Sequence, residues 1–451
     1  MTTRHAALAD PLKWSAPPLE VRTVTLGISA GDLANRNLHG LCETLYQRIL
    51  DRAGTFSQVC SRVAAELGVP ILQRRVCVSP IDRLTEGHGS EDLVNIGRTL
   101  DGAAASAHLD QISGFFIRAQ HGMSKWSRQL IAALPTVLAQ TERVHAAVEV
   151  ATSSAGVNMD AIDLLGKTIR DASLATANRH GIAAARLAVL GNVPDDGPPI
   201  AGAFSGDGWN DLVVFVSVSA MGAIRHAVEQ RLQSHPHADL ECLAGEIAAA
   251  AFQATRVAEM VGREIASRLQ ADLGRIDVSL APTIRPGQTI AELLKLLGVP
   301  AFGSPGTAAA LALISSAIRA GGRFASTSSA SEAAILLPVL RDSGLVSATE
   351  AGSLSIEHLA SFSAVGGQGL DLIPIPGETS AGSISAIIAD QMAVAALHGR
   401  TTVVRLVPVQ GKVAGERVSF GRDLGDAVVL AIPSSSSGQF VMRGGRIPTQ
   451  P

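Results

Sequence analysis

Two hydrophobic periods alternate along this chain. Short aliphatic and β-branched runs read as buried strands at Val21–Ile28, Ile71–Val78, Ile112–Arg118, His145–Ala151, Arg186–Leu190, Leu212–Ser217, Arg275–Leu280 and Thr402–Pro408. Between them, Ala- and Leu-rich segments repeat apolar residues every three or four positions. That period predicts helices over Leu41–Ala53, Glu91–Ala107, Asp160–Asn178, Ala238–Leu269, Thr307–Ala320, Ser331–Arg341 and Ser383–Leu397. In the first of these, Leu41, Leu45, Ile49 and Leu50 share one face. Strands alternating with helices are the pattern of an α/β fold around a mostly parallel sheet, closed or doubly wound. No Gly/Ser or charge-run linker divides the middle, so residues 21–432 are expected to form one domain. Residues 1–20 then form a leader, and the serines Ser434–Ser437 introduce a separate C-terminal segment within 433–451. No repeat of solenoid length is present.

Composition narrows the class. The 451 residues are 47% hydrophobic, 3% aromatic and 17% charged, a balance that excludes a disordered chain and suits a large aliphatic core. The formal charge of -3 comes from 37 basic and 40 acidic residues without blocks of either sign, so no stripe is available for a polyanion and nucleic acid is not expected as a partner. Five lysines stand against 32 arginines, a bias that a GC-rich genome accounts for. The cysteines, Cys42, Cys60, Cys77 and Cys242, form no C-x-x-C and no metal spacing, which argues for free thiols in a reducing cytoplasm. Met1–Pro18 has no apolar core of a signal peptide, and the apolar stretches, such as Ala308–Ile318, are too short or too interrupted to span a bilayer. The expectation is a soluble cytoplasmic protein with no membrane partner, and a homodimer is left open.

Several strands lead into small polar loops that open a helix, where α/β folds keep their ligand sites. Three stand out: Thr152–Asn158, Gly303–Thr307 and Ser326–Ser329. Their Asn158, Ser304 and Thr307 could hold an anion on free N–H groups at a helix N-terminus. Ser, Thr and Asn are equally ordinary helix caps. There is no Walker A sequence and no G-x-G-x-x-G, so no nucleotide cofactor is expected. Carboxylates beside apolar strands are candidate proton carriers: Asp277 first, then Asp371, with Glu378 as a general acid or base or a first-turn helix residue. Asp207 and Asp211 crowd one loop, but the pattern of a calcium loop is incomplete. Arginines at strand positions need an anion when buried. Arg75, Arg405 and Arg443 fit that description, either paired internally with Asp277 or Asp371 or gripping a substrate carboxylate or phosphate. The histidines are scattered, without H-E-x-x-H, and no serine elbow is present, so neither a metal nor a serine triad is expected.

Seven segments together carry a resemblance: Thr23–Ser29, Ala65–Ile71, Ser153–Met159, Ala201–Phe204, Asp277–Thr283, Gly306–Leu313 and Arg443–Pro448. In order, and over nearly the whole chain, they resemble the bacterial and archaeal group that carries the label "PFL family protein". The resemblance implies a ten-stranded β/α barrel related to pyruvate formate-lyase and anaerobic ribonucleotide reductase, with the Gly444–Gly445 turn at the barrel mouth. Those enzymes carry a radical glycine near the C-terminus, and Gly444 or Gly445 stands in that place. The pattern departs from theirs in that Arg446 follows Gly445, and the mid-chain cysteine, Cys242, lies in a helical segment.

Three functions follow as expectations. The first is an enzyme on a small anionic metabolite held in the barrel by Arg75, Arg405, Arg443, Asn158, Ser304 and Thr307, with Asp277 or Glu378 moving a proton and no cofactor or metal. The second is a non-catalytic ligand-binding or regulatory protein. The third is radical catalysis at Gly444 or Gly445.

Overall fold

Burial on both faces explains why the strands read as unbroken apolar runs: in Leu212–Ser219 every residue but Ser217 is buried. The computed structural model describes residues 19–34, 37–194, 211–282, 287–326, 335–421, 424–435 and 437–449. Most of the leader, Ala201–Phe204, Asp207, Thr283, three residues of the loop Ser326–Ser329 and the first four of the helix expected at Ser331–Arg341 lie outside the described residues.

The strands are β1 (Glu20–Ile28), β2 (Ile71–Val78), β3 (Gln111–Arg118), β4 (Val144–Thr152), β5 (Gly156–Asn158), β6 (Leu187–Gly191), β7 (Leu212–Ser219), β8 (Asp272–Ser279), β9 (Gly369–Pro376), β10 (Thr402–Val409), β11 (Arg417–Ser419), β12 (Asp426–Val428) and β13 (Arg446–Ile447). The helices are α1 (Leu38–Ala53), α2 (Phe56–Leu67), α3 (Ser90–Ser106), α4 (Lys125–Ala139), α5 (Met159–Ala175), α6 (Met221–Ser234), α7 (Leu240–Leu269), α8 (Ile290–Leu296), α9 (Thr307–Ala325), α10 (Ser343–Glu350), α11 (Ile356–Val365), α12 (Ala381–His398) and α13 (Gly438–Val441).

The main sheet runs β8-β7-β1-β2-β3-β4-β6-β10-β9. Five strands, β1, β2, β3, β4 and β6, are mutually parallel. On one side β7 lies antiparallel to β1 and parallel to β8; on the other β10 lies antiparallel to β6 and parallel to β9. The fold is therefore mixed α/β with a large, mostly parallel sheet. This path holds nine strands where ten were expected. Beyond its ends, single parallel bridges join Leu280 to Ile335 and Ile335 to Gly367.

The helix expected at Ser331–Arg341 is corrected over its described part. Ile335 makes those bridges, and only Val339–Arg341 turns, as one 3-10 turn. Pro338 lacks an amide N–H and biases Leu337 away from helical dihedrals, so the Ala/Leu pattern could not propagate. All four cysteines are free. By length and composition α12 could cross a membrane, but its Ile384, Ile388, Met392 and Ala395 are buried in the fold.

Candidate functional site

Two irregularities in the sheet aim charge off its regular pleat. Where β1 pairs β7 the register steps from Val21–Val218 to Thr23–Ser217, so Arg22 is the extra residue of a bulge. Where β9 pairs β10 it steps from Leu370–Val404 to Ile373–Leu406, so Asp371 and Leu372 together face Arg405. Leu372 takes the left-handed conformation, φ 52°, at this step. Arg405 grips Asp371 with both arms: Nε donates to Oδ1 at 2.5 Å and Nη2 to Oδ2 at 2.9 Å. The pair is 6% and 2% exposed.

Further cations gather around this pair. Arg22 lies in the field of Asp371, Arg405 and Asp277; Arg75 in that of Arg22, Arg405, Asp110 and Asp371. Arg341, from the turn after Pro338, completes the group beside Arg22, Arg405, Asp371 and Arg75. Burial first, then the neighbouring guanidiniums, pull Arg75 and Arg341 each down to about 9. At neutral pH both stay charged. Asp277, in the field of Arg22, accepts from Ser217 Oγ at 2.9 Å and Ser279 Oγ at 3.3 Å. Among the described residues, the four guanidiniums Arg22, Arg75, Arg341 and Arg405 thus face three carboxylates, Asp371, Asp277 and the exposed Asp110, an excess of positive charge.

A cavity of about 350 Å³ opens beside this cluster. Its inner wall holds Arg341, Arg405, Arg186, His145, Gln73 and Gln111, its mouth the exposed Asp110, Glu142 and Arg179, and its remaining wall Ile182, Ala185, Phe420 and Leu424. His145 is 8% exposed, and its Nδ1 has no hydrogen-bond partner. The Nε of Arg341 and the Oε1 of Gln111 are also buried without partners. Burial, then Arg186, Arg405, Arg75 and Arg341, hold His145 well below its ordinary range, so the imidazole is neutral at pH 7. Arg186 differs in role. Its guanidinium donates to Thr141 O at 2.7 Å and to Leu138 O, closing the end of α4, and burial brings it down to about 10.

The cavity sits at the N-terminal ends of β2, β3, β4 and β6, since Gln73, Gln111 and His145 open their strands and Arg186 precedes one. In the described loops where a site was expected, Asn158 and Thr307 are engaged in hydrogen bonds, and Asn158 also lines a second, smaller cavity. Asn158 caps α5, accepting from Ala161 N at 3.2 Å while its Nδ2 donates to Ala119 O at 2.6 Å. Thr307 donates its hydroxyl to Ser304 O at 2.7 Å. Of the residues expected to act, Arg405 lines the cavity and pairs with Asp371, Arg75 lies in the field of that pair without lining the cavity, and Asp277 reaches the group only through Arg22. Glu378 and Arg443 are exposed, and with Asn158, Ser304 and Thr307 they stand outside this cavity's lining.

His145, Arg341 and Arg22 were missed. For Arg22 the signal was present, a charge at the start of an apolar strand; Arg341 was hidden inside a segment read as helix, and His145 among histidines read as scattered. Near the C-terminus, Gly444 and Gly445 have φ of 64° and 73°, values that favour glycine. Gly445 N donates to Asp160 Oδ1 at 3.1 Å, Met159 N donates to Gly445 O at 3.0 Å, and β13 pairs with β5. A smaller cavity of about 220 Å³ adjoins this turn, beside Arg128 and Asp160. Among the described residues no group of three or more His, Cys, Asp or Glu side chains is placed to hold a metal ion.

A family model described as "Uncharacterised ACR (DUF711)" matches residues 15–426. A "UPF0210 protein" of Syntrophobacter fumaroxidans is 41% identical over 431 residues, covering 95% of this chain and 94% of that relative. A "UPF0210 protein" of Methanosarcina acetivorans is 41% identical over 430 residues, covering 95% and 92%. Among solved structures, a chain described as "Anaerobic ribonucleotide reductase" superposes with a TM-score of 0.44 at 8% identity, over 95% of this chain and 77% of that one.

Proposed function

This chain belongs to the family described as DUF711, alongside proteins named UPF0210, and we propose that it binds a small anionic metabolite in the arginine-walled cavity. One observation carries this: Arg341 Nε and His145 Nδ1, both buried and both without a hydrogen-bond partner, line one cavity next to an excess of guanidinium charge. Buried polar groups are rarely left unsatisfied, and an anion would supply acceptors to Arg341 and offset the charge excess. Arg405 is held in place by Asp371, so it contributes fixed field, while Arg341 is the guanidinium with capacity to grip. His145 supplies the proton chemistry. Neutral beside the arginines, the ring is a proton acceptor; once an anion neutralises the arginines, its basicity rises. Asp277, between two serines and in the field of Arg22, stands outside the cavity's lining and contributes only charge to this proposal.

In a titration calorimeter the protein takes up small carboxylates or phosphate at constant ionic strength, and Arg341→Met weakens the binding at least about tenfold while circular dichroism stays unchanged. Wild-type protein that binds none of these anions would remove the proposal.

We also propose that the sheet closes into the ten-stranded barrel implied by the resemblance to the "PFL family protein" group, with Ile335 as the point of closure. In support, Leu336 N donates to Leu280 O at 2.9 Å and Gln368 N to Ile335 O at 3.1 Å, so the adjacent Ile335 and Leu336 together are bonded to residues just beyond both ends of the strand path.

A further inference from the structure

The cavity's lining is of two chemical kinds, and only one of them suits a bare anion. Besides the guanidiniums of Arg341 and Arg405 and the neutral ring of His145 it includes the apolar Ile182, Phe420 and Leu424. Phe420 and Leu424 flank the turn between β11 and β12 and are half-buried, packed on the buried Val418, Ala427 and Val429. The ring of His180 meets Phe420 edge-on with centroids 6.3 Å apart, which fixes the orientation of that face. A phosphate ion lying here would lose water on the apolar side without gaining donors there. A hydrocarbon group would gain on that same side.

Building on the anion-binding reading above, we infer that the ligand is an amphipathic monocarboxylate: a carboxylate on Arg341 with a short apolar tail along Phe420, Leu424 and Ile182. At about 350 Å³ the space is at the small end of ligand pockets, so the tail is short. A nucleotide or a long-chain fatty acid does not fit.

The test is calorimetry of the full-length protein with acetate, butyrate, hexanoate, octanoate and inorganic phosphate at one ionic strength. Affinity rises about fourfold per methylene from acetate, levels off once the tail outgrows the cavity, and exceeds that for phosphate from butyrate onward. Phe420→Ser flattens the series, and Phe420→Leu, which keeps an apolar wall, restores its slope. A flat series in the wild type, or phosphate bound more tightly than every carboxylate, overturns the amphipathic ligand and leaves anion binding standing. No binding of any anion in the series overturns both.

Discussion

At the scale of single residues, position relative to the pleat matters more than residue type. Arg405 and Arg443 look alike in the sequence, each set among apolar neighbours. In the fold one is locked bidentately to Asp371 beside a bulge, and the other is exposed on the C-terminal segment. His145 carries the clearest consequence. Its folded-state pKa lies below its unfolded value because burial and the surrounding arginines disfavour the imidazolium. The groups facing it are Arg75 of β2, Arg186 ahead of β6, Arg341 and Arg405 of β10, with Gln111, Asp110 and Glu142 sharing the cavity. Below about pH 6.5 the unfolded chain binds a proton that the native state refuses, so stability falls as pH drops, by up to about 1.4 kcal/mol per unit for this one group. Urea titrations at pH 7 and pH 5 should show a smaller loss for His145→Asn than for wild type. Equal losses in the two proteins would remove His145 from this account.

At the scale of elements, one buried carboxylate caps its own helix and a second helix distant in the sequence. Asp342 is 1% exposed and serves two N-termini at once. It accepts from Thr289 Oγ1 and from Ile290 N at 3.0 Å at the start of α8, and from Gly344 N at 2.8 Å and Leu345 N at 3.2 Å at the start of α10. Removing both caps with Asp342→Ala is expected to cost about 3 kcal/mol in chemical denaturation, and Asp342→Asn roughly half of that. A loss under about 0.5 kcal/mol would mean that neither helix relies on it.

Elements were legible where local pattern and fold agree, as in β1, β2 and β7. They were not legible where the fold overrules a breaker. α4 contains Pro135, and β9 ends in Ile373–Pro376 with prolines at every second position; both escaped the periodicity. In β9 the prolines survive because, among the described residues, its regular ladder is with parallel β10 alone, and elsewhere Pro374 takes part as an acceptor, from Leu430 N at 2.9 Å.

The whole molecule brings distant segments into one chamber. Strand neighbours β7 and β1, or β6 and β10, are separated by roughly two hundred residues of sequence, which is what lets Arg22, Arg75, Arg341 and Arg405 meet. If Ile335 closes the sheet, the amides of Leu336 and Gln368 should exchange with deuterium as slowly as those within β10. Exchange as fast as in the exposed turn around Gly411 would leave the sheet open. By itself the sequence determined that the chain is α/β, where most strands lie, and that arginines at strand positions demand counter-ions, because hydrophobic period and the cost of burying charge act locally. Only the tertiary structure decided which charges share a cavity, and that this cavity opens at the N-terminal ends of the parallel strands. Strand order and bulges depend on packing across the whole sheet, and no local pattern encodes them.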